Sequence, residues 1–182
     1  PGRHDIIFPM FEFEMPGSVD DLKAMEYELC EYLGFGTLTE KTYGDWQAHF
    51  DLPVDVEMDA KHELAMEEEF GQTIITNFPE MTSPFWNMAR NDDGNTAKKM
   101  DVILGGMETI GSAERSCNVD MMRDTFHSIT DGAYSKLLFE LFGKDRVEAE
   151  LEKFLEFDFF QRVGGGIGIT RMIPALEKIG KI

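Results

Sequence analysis

Two acidic residues, Asp101 and Glu108, stand seven positions apart on either side of Gly105-Gly106. A hairpin turning at the glycines could bring both carboxylates to the same end of a sheet, as a hard divalent cation bridging nucleotide phosphates requires. The alternative is a pair of solvated acids at strand ends. Near the C-terminus the run Gly164-Gly165-Gly166-Ile167-Gly168-Ile169-Thr170-Arg171 leaves a strand almost without side chains, which lets a ligand approach the backbone. Arg171 falls on the first turn of the next helix, where a guanidinium and free N–H groups favour phosphate. Alone, this run also fits a crowded strand followed by a capping arginine. Close to the N-terminus, Glu12 and Glu14 share one face of an alternating strand, with Phe11, Phe13 and Met15 on the other.

The elements that must hold these residues are readable from periodicity. Ile6 to Met15 is rich in aromatic and branched side chains and predicts a strand. Ser18 caps a helix, with Asp21 as capping-box partner, Leu22, Met25, Leu29 and Leu33 as its buried stripe and Gly34 as its stop. The stretch 35–53 reads as irregular, Asp59 to Phe70 as a helix and Thr73 to Phe78 as a short buried strand. Asn91 to Asn95 is a turn. Strands at Met100 to Leu104 and Met107 to Ile110 flank the glycine hairpin. Helices follow at Asn118 to Ile129 and Asp145 to Phe157, the second with Val147, Leu151, Phe154 and Leu155 inward. A glycine-rich strand and a helix from about Thr170 to Ile179 close the chain. Strands and helices are interspersed without strict alternation, which predicts an α+β domain built on an antiparallel sheet flanked by helices.

Composition narrows the function. At 182 residues, 42% apolar and 12% aromatic, the chain has the material for one globular domain over 1–182. No apolar run reaches bilayer length and Pro1 to Asp5 do not form a signal-type n-region, so no membrane partner and a cytoplasmic location are expected. Cys30 and Cys117 are too few for a disulfide framework. His49, His62 and His127 lie on separate elements without metal-ligand spacing. The formal charge of -18 repels phosphate backbones, and no basic patch for nucleic acid is visible.

Taken in order, these segments resemble the class II aminoacyl-tRNA synthetases of the aspartyl and asparaginyl branch. GGGIGITRM is similar to that class's third motif, whose arginine contacts the ATP γ-phosphate; the resemblance assigns that role to Arg171 and a backbone approach to Gly168. MDVILGGMETIGSAERS resembles the strand pair that binds ATP and Mg²⁺, which implies Asp101 and Glu108 as metal and ATP ligands. It further implies Arg115, beside the small Gly111 and Ser112, as the residue that reads the amino-acid side chain. GRHDIIFPMFEFEM is similar to the second half of the second motif, implying Arg3 and His4 on an ATP-contacting loop, Phe8 stacked on adenine and Glu12 in the amino-acid pocket. AKHELAM and NDDGNTAKKMD resemble asparaginyl enzymes. The lysyl relatives share FPEMTSP but carry an acid where Arg115 stands.

The resemblance covers part of the family domain: its first motif and the first half of its second are not in this sequence. There are departures at Ser83, at Lys61 and at Phe160-Gln161-Arg162-Val163. It implies an enzyme that uses ATP and Mg²⁺ to adenylate asparagine or aspartate, assembled as a homodimer, with tRNA as a possible partner. A tRNA-independent asparagine synthetase of the same fold, or a truncated non-catalytic paralogue, are the alternatives.

Overall fold

A computed structural model describes residues 7–182. Six strands and seven α-helices are present among them: β1 (Met10–Pro16), α1 (Val19–Leu33), β2 (Thr39–Thr42), α2 (Tyr43–His49), α3 (Ala60–Phe70), β3 (Thr73–Pro79), β4 (Thr96–Leu104), β5 (Met107–Arg115), α4 (Val119–Ser128), α5 (Ala133–Phe142), α6 (Lys144–Leu155), β6 (Arg162–Gly168) and α7 (Ile169–Lys178). The strands form one sheet in the order β1-β6-β5-β4-β3-β2. Every pairing is antiparallel except β2 with β3, so the sheet is mixed at that edge. The α+β expectation holds with this correction.

The best-marked helix forms where its signals stand. Ser18 accepts from the Asp21 amide while the Asp21 carboxylate accepts from the Ser18 amide, and Gly34 ends α1 in the left-handed region at φ 90°. Its deepest line, however, is Leu22, Glu26 and Cys30; Met25, Leu29 and Leu33 are partly buried beside it. The stretch 35–53 is not irregular: it holds β2 and α2, the latter opened by a second capping box between Thr42 and Asp45. α5 was not expected either. Strand bounds shift by a few residues, β1 running Met10–Pro16, while Ile6, where the strand was expected to begin, lies outside the described residues.

Helices α1 and α7 cover one face of the sheet, packing Leu22, Cys30, Met172 and Ala175 against Met100, Val102, Ile110 and Val163. The opposite face is covered over β3 and β4 by α2 and α3, through Trp46, Met66, Ile75 and Ile103. Helices α4 to α6 make a satellite core around Trp86, Met122, Phe126, Leu151 and Leu155. Over β5, β6 and β1 that second face, called the front below, is left open as a cleft.

Candidate active site

Register fixes what the open face presents. Glu12 lies opposite Gly166, Gly166 opposite Gly111, and Gly111 opposite Asp101, so one row across four strands has a carboxylate at each end and no side chain between. The next row is Glu14, Gly164, Ala113 and Lys99, and the one after it brings Arg162 opposite Arg115. Above these rows is a cleft of about 610 Å³ that Phe8, Glu12, Glu108, Gly111, Arg115, Gly168 and Arg171 all line. An adjoining hollow of about 290 Å³ is lined by Asp101, Glu63 and Lys99 and shares Glu108 with the cleft.

Glu108 shares the front face with Asp101 through the hairpin itself, because it pairs with Ile103, which stands two residues from Asp101 on the same strand. A bulge that leaves Thr109 without a partner then shifts the register, so that Gly111 rather than Ile110 lies opposite Asp101. The bulge thus sets a glycine beside the two acids and turns Arg115 to their face. A Cβ placed on Gly111 would lie 2.9 Å from Glu108 Oε1 and 3.5 Å from Asp101 Oδ1, so both carboxylates meet over this glycine.

Burial is the main influence on both acids. It pushes Asp101 up against the opposing pull of the Lys99 ammonium, which is bonded to its Oδ2. Glu108 is pushed up to about 7, first by burial and then by the Asp101 charge. Asp101 Oδ1 is buried with no hydrogen-bond partner. An orphaned carboxylate oxygen beside a second, destabilised carboxylate is a place for a cation. Among the described residues no group of three or more His, Cys, Asp or Glu side chains could hold a metal ion. Two carboxylates by themselves could hold a cation only with its remaining ligands supplied from outside the described residues.

At the other wall, Arg171 Nη1 donates to the Glu108 carbonyl oxygen at 2.6 Å and lies 3.9 Å from Glu108 Oε2. The guanidinium is thereby fixed at the edge of the glycine floor. Arg115 shares the front face with Glu12 but binds Glu14, its Nε donating to Glu14 Oε1 at 3.0 Å.

Ser112 is a correction. It sits one residue out of phase with Gly111 and Arg115, points to the α1 side, is 3% exposed, and its hydroxyl donates to the Met100 carbonyl at 3.5 Å. It cannot contact anything in the cleft. Arg3 and His4 lie outside the described residues. Three participants were not anticipated: Lys99 on Asp101, Glu63, which accepts from the Glu108 amide at 2.9 Å, and Arg162. Lys99 had a usable signal, since a residue two before Asp101 in a strand must share its face.

A largely antiparallel sheet with a glycine floor, paired carboxylates and a helix-borne arginine matches the fold of the class II synthetase core. The chain belongs to the family of class II tRNA synthetases (D, K and N), which it matches over residues 11–182. An asparagine-tRNA ligase of Treponema denticola is 37% identical over 70 residues, which span 37% of this chain and 15% of that protein. One from Rhodopirellula baltica is 29% identical over 111 residues, spanning 59% and 22%. Among solved structures, asparaginyl-tRNA synthetase of Pyrococcus horikoshii complexed with asparaginyl-adenylate superposes with a TM-score of 0.77 at 16% identity, covering 97% of this chain and 46% of that one. The Entamoeba histolytica asparaginyl-tRNA synthetase complex with asparaginyl-adenylate gives 0.73 at 17% identity, covering 96% and 44%. The chain thus spans under half the length of each of these proteins.

Proposed function

We propose that this chain carries most of a site that activates asparagine or aspartate with ATP. The observation that carries the reading is the single front-face row from Glu12 to Asp101, floored by Gly166 and Gly111, with Arg171 and Arg115 lining the same cleft. Arg171 and Gly168 would receive the triphosphate, Phe8 the adenine, and Glu12 the substrate ammonium. Arg3 and His4 belong to the ATP site in this reading.

Asp101 and Glu108 would hold Mg²⁺, which when bound supplies positive charge against the phosphates. The residues of the chain then act by position. Arg171 neutralises charge on the phosphate chain, and the glycine floor admits the reacting groups without steric interference. The amino-acid carboxylate attacks the α-phosphorus, a P–O bond forms, and the bond to pyrophosphate breaks.

Exchange of labelled pyrophosphate into ATP tests this. Exchange that depends on aspartate or asparagine is expected, and it should fall at least a hundredfold in Arg171→Ala. Absence of exchange with every amino acid, together with absence of ATP binding, would overturn the reading. Transfer to tRNA and homodimer assembly belong to this proposal. The charge of -18 favours a second reading, in which aspartate is adenylated on its side-chain carboxylate and ammonia, rather than tRNA, displaces AMP from it. Asparagine formed from aspartate, ATP and ammonia would establish it.

A further inference from the structure

The third row of the front face puts two arginines directly opposite one another on neighbouring strands, Arg115 on β5 and Arg162 on β6. Like charges in that relation repel, and both side chains are largely buried, at 19% and 16% exposed. What sits between them is the Glu14 carboxylate. Its Oε1 accepts from Arg115 Nε at 3.0 Å, and its Oε2 lies 3.5 Å from Arg162 Nε. One carboxylate on two guanidinium groups leaves an excess positive charge. Arg162 Nη1 is buried with no partner at all, and its guanidinium lies 5.1 Å from the Phe159 ring centroid.

Glu14 is held loosely by comparison. Its side chain is 53% exposed, and it rests over Gly164, where a Cβ would come within 2.7 Å of Glu14 Cγ. It can therefore swing to solvent while the arginines stay.

We propose that Arg162 acts with Arg115 as a specificity-determining residue: the pair forms a two-guanidinium receptor for the side-chain carboxylate of an amino dicarboxylate, and Glu14 is its tethered stand-in. The proposal rests on the reading of the cleft as an amino-acid site, and it selects aspartate over asparagine within that reading. Guanidinium groups only donate hydrogen bonds. A carboxylate offers each of them an acceptor oxygen, whereas an amide offers one oxygen and turns an NH₂ against the second donor. Glu12, two residues from Glu14 on the same face, lines the same cleft and supplies the anion for the ligand's ammonium.

Calorimetric titration of the protein with aspartate, asparagine, succinate and ATP separately tests this. Aspartate should bind at least tenfold more tightly than asparagine. Arg162→Met should reduce that preference below threefold by weakening aspartate alone, and Arg162→Lys should keep part of it. Glu14→Gln, which removes the competitor and leaves both arginines in place, should tighten aspartate and succinate several-fold. It decides the matter even if Arg162→Met does not fold.

Equal affinity for aspartate and asparagine in the unmodified protein, equal losses for both in Arg162→Met, or weaker aspartate binding in Glu14→Gln would overturn the receptor. ATP binding with no aspartate preference removes this proposal and leaves the activation reading standing. Aspartate and succinate binding without ATP binding does the reverse. Absence of binding by any of the four removes both.

Discussion

A glycine between two carboxylates is a stronger statement than either carboxylate alone. Gly111 keeps open the notch into which Glu108 Oε1 and Asp101 Oδ1 both point, and a methyl there would meet only the ends of two side chains. Gly111→Ala should therefore leave the melting temperature within about 2 °C, since flexible termini can move aside, an effect well under 1 kcal/mol. It should weaken Mn²⁺ binding, measured by electron paramagnetic resonance in the presence of ATP, at least tenfold. Unchanged Mn²⁺ affinity would take the cation out of this notch.

At this scale the sequence exposed much and misled once. Asp101, Glu108, Gly168 and Arg171 were legible because a glycine turn and a glycine strand leave few other arrangements. Ser112 was assigned to the pocket although Gly111 and Arg115 have the opposite parity to it, and parity decides the face of a strand. The Thr109 bulge, which turns Gly111 and Arg115 to the face of Asp101 and Glu108, has no residue signature in a single strand. Arg162 was invisible as a binding residue because its meaning comes from Arg115, and only strand pairing puts them side by side.

Among the elements, α1 carries the largest internal tension. Glu26 is 0% exposed, and neither carboxylate oxygen has a hydrogen-bond partner of normal geometry. Burial, opposed by the nearby Ser112 hydroxyl and reinforced by the Asp101 charge, pushes the group up to about 8 from an ordinary value of 4.5. The folded chain holds this proton more tightly than the unfolded chain does. Its contribution is fully present below pH 4.5, is lost progressively as pH rises toward about 8, and changes no further above that. From pH 5 to 7 the loss is on the order of 3 kcal/mol.

Glu26→Gln should remove that part of the slope, leaving the smaller one that Asp101 and Glu108 contribute, and be the more stable protein at pH 8, as read from urea unfolding at pH 5, 6.5 and 8. Parallel pH profiles for the two proteins would show that Glu26 is not the buried acid responsible. The hydrophobic pattern of α1 located the helix correctly and ran its buried stripe through Leu22, Met25, Leu29 and Leu33, of which Leu22 lies on the deepest line; a glutamate one position over reads as solvent-facing in any such pattern. For the same reason β2 escaped notice. Its residues Thr39-Glu40-Lys41-Thr42 show no apolar alternation, and the strand exists because β3 offers an edge.

Over the whole molecule, 35 acidic residues against 17 basic ones give a self-repelling surface. Screening that repulsion should stabilise the fold. Raising KCl from about 20 to 500 mM shortens the Debye length from roughly 20 Å to a few ångströms and should raise the melting temperature by about 5 °C. A flat or falling melting curve would show that favourable ion pairs such as Arg123 with Glu152 outweigh the net charge. The class of fold was legible at this scale because the hairpin and the glycine strand both imply antiparallel neighbours. The parallel edge was not, since it depends on a pairing between segments that carry no mutual signal.

The pairing of β1 with β6 has a further consequence for how the protein comes into being. Met10 lies against Gly168, and β6 is inserted between β1 and β5. Glu12, Asp101, Glu108 and Arg115 can all be present without forming the cleft, because among the described residues β6 is the only strand that pairs with β1. The cavity is completed by a pairing between segments as far apart in sequence as Met10 and Gly168, and such closures are slow relative to local pairing. A ligand of the cleft should therefore stabilise only the form in which β1 and β6 are paired.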